Sequence, residues 1–196
     1  MIFTRELYLN QLIQKKQNGM VKIITGLRRC GKSFLLFNLF HNKLISQGVP
    51  ENHIIKIPLD NLDFIELRDK ISLYKFIKSK ITDNQQYYCF LDEIQLVKGF
   101  EEVLNSLLHI QNIDVYVTGS NSRFLVKDVI TEFRGRGDEI RLYPLSFKEF
   151  FENRDDDFIS AWTDYYTYGG LPLVAGMKTH KEKSDYLTNL FSKVYL

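Results

Sequence analysis

The sequence predicts an α/β fold in which a parallel sheet is covered by helices on both faces. Short runs rich in β-branched and aromatic residues recur along the chain, at 21–25 (VKIIT), 53–59 (HIIKIPL), 87–94 (YYCFLDEI), 114–118 (DVYVT) and 139–145 (EIRLYPL). Stretches with apolar residues at helical spacing lie between them. The runs are nearly continuous rather than alternating, as expected of strands buried on both faces.

Taken in order, residues 4–17 set Leu7, Leu9, Leu12 and Ile13 roughly on one side among polar residues. That is an amphipathic helix, stopped near Asn18-Gly19. The strand at 21–25 enters Gly26-Leu27-Arg28-Arg29-Cys30-Gly31. Residues 32–46 follow as a helix buried on most sides, through Phe34, Leu35, Leu36, Phe37, Leu39, Phe40, Leu44 and Ile45. After the second strand, Leu73, Phe76, Ile77 and Ile81 mark a helix over 73–82. The apolar run at 87–94 is closed by two acids, and Val103, Leu104, Leu107 and Leu108 mark a helix over 100–109. The strand at 114–118 enters Gly119-Ser120-Asn121-Ser122, residues 123–132 suit a helix, and 139–145 reads as the last strand.

Beyond Ser146 the pattern is helical only, at 147–153, 158–168 and from about 181 onward, with Gly169-Gly170-Leu171-Pro172 between the last two. A boundary near 150 therefore divides a core of 1–150 from a helical segment of 151–196. The last helix is amphipathic up to Leu196, so the chain is expected to be cut from a longer product.

Composition excludes several classes. With 196 residues, 44% hydrophobic and 26% charged, the chain can bury a sizeable core and is far from disordered compositions. A net charge of +2 gives no global electrostatic case for nucleic acid or an anionic membrane. Lys75, Lys78 and Lys80 share one predicted helix, a pattern that ordinarily means a solvated face. Two cysteines, Cys30 and Cys89, are too few for a disulfide scaffold and fit a reducing compartment, with the cytoplasm as default. The N-terminus lacks the apolar core of a signal peptide, and no run is long enough to span a membrane.

Gly26–Ser33 reads GLRRCGKS and fits G-x-x-x-x-G-K-[ST] between a predicted strand and a predicted helix. Glycines let successive N–H groups point at phosphate oxygens, and the helix N-terminus adds positive potential. Lys32 would reach the β- and γ-phosphates, and the Ser33 hydroxyl is a Mg²⁺ ligand by type. The chain from Gly26 through Leu27, Arg28, Arg29, Cys30, Gly31, Lys32 and Ser33 to Phe34 is thus the candidate nucleotide-binding loop. A plain glycine turn is the alternative.

The run at 87–94 delivers Asp92 and Glu93 at a strand's C-terminal end, where α/β sheets bind ligands. Alone, such acids usually mean a solvated turn; downstream of a phosphate loop, Asp92 suits Mg²⁺ and Glu93 suits a proton acceptor for the attacking water. Both can serve only if the strand ends there and the chain bends, because adjacent strand residues face opposite ways. Ser120 or Asn121, after the strand at 114–118, would orient that water, or act as a turn or helix cap. Arg134 and Arg136, in FRGRG, are either transition-state arginines, in cis or from a neighbouring subunit, or surface residues of a glycine turn.

ITGLRRCGKSFLL, LDEIQ, VTGSNS, FRGRGDEIRLYPLSFKEF and YGGLP together resemble the bacterial and archaeal AAA-type P-loop ATPases with an RRxGK phosphate loop, related to the archaeal ATPase and STAND branch. The resemblance runs from Arg5 to Pro172. It implies a three-layer sandwich with sheet order 5-1-4-3-2, the sensor strand lying between the phosphate-loop and Asp-Glu strands, and a small helical or winged-helix lid entered at Gly-Leu-Pro. It assigns phosphate binding to Gly26 through Ser33, Mg²⁺ to Ser33 and Asp92, catalysis to Glu93 and the sensor to Ser120 or Asn121. Arg136 would be the arginine finger, with Arg134 as substitute.

The expected activity is MgATP binding and hydrolysis coupled to conformational change. ATP and Mg²⁺ are the ligands, a homo-oligomer or a further C-terminal domain the partners, and Ile2 and Phe3 among the apolar adenine contacts. A nucleotide-gated signalling or defence switch with little turnover and a DNA-handling motor are the alternatives.

Overall fold

The computed structural model describes residues 2–119 and 135–194. The helix expected over 123–132 lies outside the described residues. Five strands, β1 (Val21–Gly26), β2 (Ile54–Pro58), β3 (Tyr87–Asp92), β4 (Ile113–Thr118) and β5 (Gly137–Leu142), form a sheet in the order β2-β3-β4-β1-β5. Read from the other edge this is 5-1-4-3-2, with β4 between β1 and β3. Every pairing among them is parallel. β1, β3 and β4 are buried almost throughout, which explains why their sequences do not alternate.

The two faces have separate cores. Val21, Ile23, Tyr87, Cys89, Leu91, Val115 and Val117 pack with Leu73 and Ile77 of α3 (Lys70–Lys80) and Leu104 and Leu107 of α4 (Phe100–Leu108). Residues of the opposite parity, Phe90 and Tyr116, meet Phe40 at ring-centroid separations of 5.6 and 4.9 Å. Phe40 belongs to α2, residues 32–46, whose middle stretch Leu35–Phe40 is π-helical rather than α-helical. Helix α1 (Glu6–Gln14) buries Tyr8 and Leu12. Helix α3 starts earlier than its apolar spacing predicts because the Asp69 side chain accepts the Ser72 N–H at 2.8 Å and caps it. Both cysteines are free and buried.

All strands start at one edge of the sheet, and there Lys22 of β1 forms a buried ion pair with Asp114 of β4. Asp114 also accepts from Tyr116 Oη at 2.7 Å and from the Gln17 N–H at 2.9 Å. Burial pulls the Lys22 ammonium below its usual range, and Asp114 pushes it back up.

The chain divides into two compact units. One holds Glu6–Gly26 and Lys32–Leu142; the other gathers the residues up to Arg5, Leu27–Gly31 and the chain from Tyr143 onward. The division expected at 150 thus falls at the end of β5. The reason is local: after Leu142 the chain stops pairing, and Ser146 and Glu149 form a reciprocal capping box that opens α5 (Phe147–Phe151). Helices α6 (Phe158–Tyr168), α7 (Pro172–Ala175) and α8 (His180–Val194) complete the second unit. Phe3 is buried there with Leu145, Phe150, Ala161 and Ala175. It is thus a core residue of this unit.

The YGGLP segment has a steric cause. Leu145 donates its N–H to the Gly170 carbonyl at 2.7 Å, and a Cβ on Gly170 would fall 2.1 Å from the Leu145 oxygen. Gly170→Ala should therefore destabilise this unit by about 1–3 kcal/mol or more, read as a lower midpoint in urea denaturation.

Candidate functional site

The glycine-rich loop leaves β1 at Gly26 and enters α2 at Lys32. Gly31 has φ 96°, a conformation that a side chain would strain, and Arg29 adopts φ 68° despite having one. Lys32 is buried, and its Nζ donates to the Gly26 carbonyl at 3.2 Å. Leu27, Arg28, Arg29 and Phe34 are exposed, whereas the Cys30 side chain is buried. Within the C-terminal unit, Arg29 donates from Nη1 to Tyr186 Oη at 2.5 Å, with its guanidinium 5.1 Å from the centre of that ring. No pattern in the sequence announces that pair, since the two residues lie far apart in the chain.

Strand β3 ends at Asp92, and Glu93 turns into the left-handed region at φ 54°, ψ 48°. The bend required for both acids to act is therefore present. Ser33 Oγ donates to Asp92 Oδ1 at 3.0 Å, and Thr118 Oγ1 donates to the same carboxylate. The Glu93 N–H donates to Thr118 Oγ1 at 3.2 Å, and Gln95 Nε2 donates to the Glu93 carboxylate. Asp92 is only 4% exposed. Burial pushes its carboxyl above the usual range, opposed by the two hydroxyl hydrogen bonds.

The structure thus brings together Lys32, Ser33, Asp92 and Glu93 at the C-terminal ends of β1 and β3. Arg136 is elsewhere. It directly precedes β5, and its carbonyl accepts the Val21 N–H at 2.9 Å, so it sits at the edge where the strands begin. Six strand residues at about 3.3 Å each separate the two edges by roughly 20 Å. Ser120, Asn121 and Arg134 lie outside the described residues. Sequence reasoning overlooked Thr118, which looks like one more β-branched strand residue. Only the register, with Leu91 opposite Val117, sets it beside Asp92.

The donor set suits a magnesium ion. The Ser33 hydroxyl and Asp92 carboxylate are hard oxygen donors in mutual contact. No group of three or more His, Cys, Asp or Glu side chains that could hold a metal occurs among the described residues. Two protein oxygens with the remaining positions left to phosphate and water is how Mg²⁺ is ordinarily held.

A family model described as an AAA domain matches residues 18–151. The chain belongs to the AAA domain family. An uncharacterized protein of Haemophilus influenzae is 34% identical to this AAA protein over 201 residues, covering all of this chain and 50% of that one. Uncharacterized protein MJ1544 of Methanocaldococcus jannaschii is 26% identical, over 89% of this chain and 41% of its own. The chain therefore spans half or less of the length of these relatives.

Among solved structures, the Aeropyrum pernix ORC2 protein in its ADP form aligns with a TM-score of 0.52 at 14% identity, over 87% of this chain and 58% of that one. The Aeropyrum pernix ORC1 protein in complex with DNA gives 0.55 at 14%, over 78% and 48%. PCH-2 of C. elegans gives 0.53 at 12%, over 97% and 59%. These likenesses show the fold of the AAA domain.

The burial of Asp92 carries a stability consequence. Its raised pKa means that the folded chain holds this proton more tightly than the unfolded chain does. Ionisation therefore costs stability as pH rises from the ordinary carboxyl range through the folded value. Without nucleotide or metal, Asp92→Asn should melt above wild type at neutral pH, and the gap should close as pH falls below about 4. A variant melting lower at neutral pH would show that the hydroxyl bonds outweigh the burial.

Proposed function

We propose that this chain is a Mg²⁺-dependent ATPase module in which ATP binding and hydrolysis drive conformational change in the C-terminal helical unit. One observation carries the reading: the strand that ends at Asp92 and bends at Glu93 stands against the hydroxyl of the residue that follows the loop lysine. Glycine-rich loops with a terminal lysine bind phosphate in many proteins. Joined to a buried acid on that hydroxyl, and to a second acid one residue on, the loop forms a set suited to phosphoryl transfer.

In this reading the backbone N–H groups of Gly26 through Ser33 and the Lys32 ammonium hold the phosphates. Ser33 and Asp92 hold Mg²⁺, which when bound neutralises charge on the phosphate oxygens. Glu93 accepts the proton of the attacking water, and Ser120 or Asn121 orients that water. The donor set and the family support Mg²⁺ and ATP as the ligands.

Replacing Lys32 with Ala should abolish measurable ATP binding while the melting curve stays cooperative; unchanged affinity would refute the phosphate-loop assignment. Glu93→Gln should retain ATP affinity and lower hydrolysis by about 10²-fold or more, because the base acts mainly in the transition state.

A slow, nucleotide-gated switch is the second reading, and one contact favours it: the Glu93 carboxylate is engaged by Gln95. Equal, slow hydrolysis by wild type and Glu93→Gln would select that reading.

The position of Arg136 favours action across a subunit boundary, since the sheet separates it from its own chain's acids. Specific activity should then rise with protein concentration, and Arg136→Ala should lower kcat more than ATP affinity. Activity independent of concentration would return Arg136 to a structural role. The ORC1 structure includes DNA; among the described residues of this chain, Lys75, Lys78 and Lys80 on one helix have exposed side chains.

A further inference from the structure

Thr118 is the last residue of β4, and it is fully buried in the centre of the sheet. Packing alone would accept valine there, as β4 itself does at Val115 and Val117. A hydroxyl differs from the methyl group that replaces it in being donor and acceptor at once, and Thr118 uses both capacities on the neighbouring strand. Its Oγ1 donates to the Asp92 carboxylate and accepts the Glu93 N–H at 3.2 Å. A single oxygen thus fixes the side chain of one acid and the backbone of the next.

We propose that Thr118 is a positioning residue for the hydrolytic step: its hydroxyl holds Asp92 in orientation and locks the left-handed bend that takes Glu93 out of the strand. The inference rests on the reading of Asp92 and Glu93 given above. Three features support it. Glu93 is a non-glycine residue at φ 54°, a conformation that persists only where the surroundings impose it. The bond to its N–H is such a constraint, since that group has left the ladder. Of the two hydroxyls on Asp92, Ser33 is the one assigned to the cation, and Thr118 is the one that also holds the Glu93 N–H. Finally, a β-branched side chain on a central strand is stiff at χ1, so its oxygen stays where the register puts it.

The test compares Thr118→Val, which keeps the shape and removes the hydroxyl, with Thr118→Ser, which keeps the hydroxyl. The first readout is amide hydrogen exchange at Glu93 in nucleotide-free protein, resolved by NMR. It should speed up by on the order of 10-fold in Thr118→Val and fall most of the way back toward the wild-type rate in Thr118→Ser, which keeps the hydroxyl but not the β-branch. The second is kinetic: Thr118→Val should lower kcat for ATP by about 10- to 100-fold with ATP Kd changed less than about threefold, and Thr118→Ser should restore kcat.

Unchanged Glu93 exchange in Thr118→Val would overturn the proposal. So would wild-type turnover in that variant, or a serine variant that fails to rescue. If wild type itself does not hydrolyse ATP, the functional reading fails separately, and the exchange comparison then decides alone whether the hydroxyl holds the bend. Should Thr118→Val not fold, the serine variant still decides, because loss of Glu93 protection with the hydroxyl present contradicts the claim.

Discussion

Side chains on a strand alternate between faces, so two adjacent acids cannot serve one site while the strand continues. The arrangement at the end of β3 depends on how that constraint is met. Asp92 is the last residue to keep the ladder and shares its face with Phe90, Tyr116 and the helix that begins at Lys32. Glu93 leaves the ladder at once by entering the left-handed region, at a conformational cost of about 1–2 kcal/mol. A buried bond to a neighbouring strand is of the size that offsets such a cost. A glycine at this position would adopt the bend without strain but would carry no carboxylate. The strain is therefore the consequence of placing an acid where the backbone prefers none.

What the sequence disclosed and what it hid have physical reasons. The five strands and the longer helices were legible because burial on both faces leaves continuous apolar runs, and one-sided burial leaves a helical period. The sheet order followed from the family resemblance. Ends were less legible. The run at 87–94 is apolar through Ile94, yet the strand stops at Asp92 because the bend at Glu93 is a backbone event that apolarity does not encode. The short helix Pro172–Ala175 and the 3₁₀ segment Leu62–Arg68 are too brief to show a period.

At the site, the loop and the two acids were visible as motifs, but Thr118 was not, because its role arises from cross-strand register rather than from local spacing. The packing of Phe3 was not visible for a similar reason: its core is assembled from residues more than 140 positions away.

The two edges of the sheet solve the burial of a carboxylate differently. At the edge where the strands begin, Asp114 is paired with Lys22, and a phenol and a backbone N–H complete its bonds. Charge is neutralised within the protein, so that edge is finished, and removing either partner would leave an uncompensated buried ion. At the edge where the strands end, Asp92 is as deeply buried, but its hydrogen-bond donors are the hydroxyls of Ser33 and Thr118, which orient a carboxylate without cancelling its charge. Burial accordingly pushes the Asp92 carboxyl up. A structural acid would gain from a lysine there, as Asp114 does. Among the described residues the Asp92 carboxylate is oriented by two hydroxyls, and an oxygen held in this way is of the hard type that a divalent cation takes.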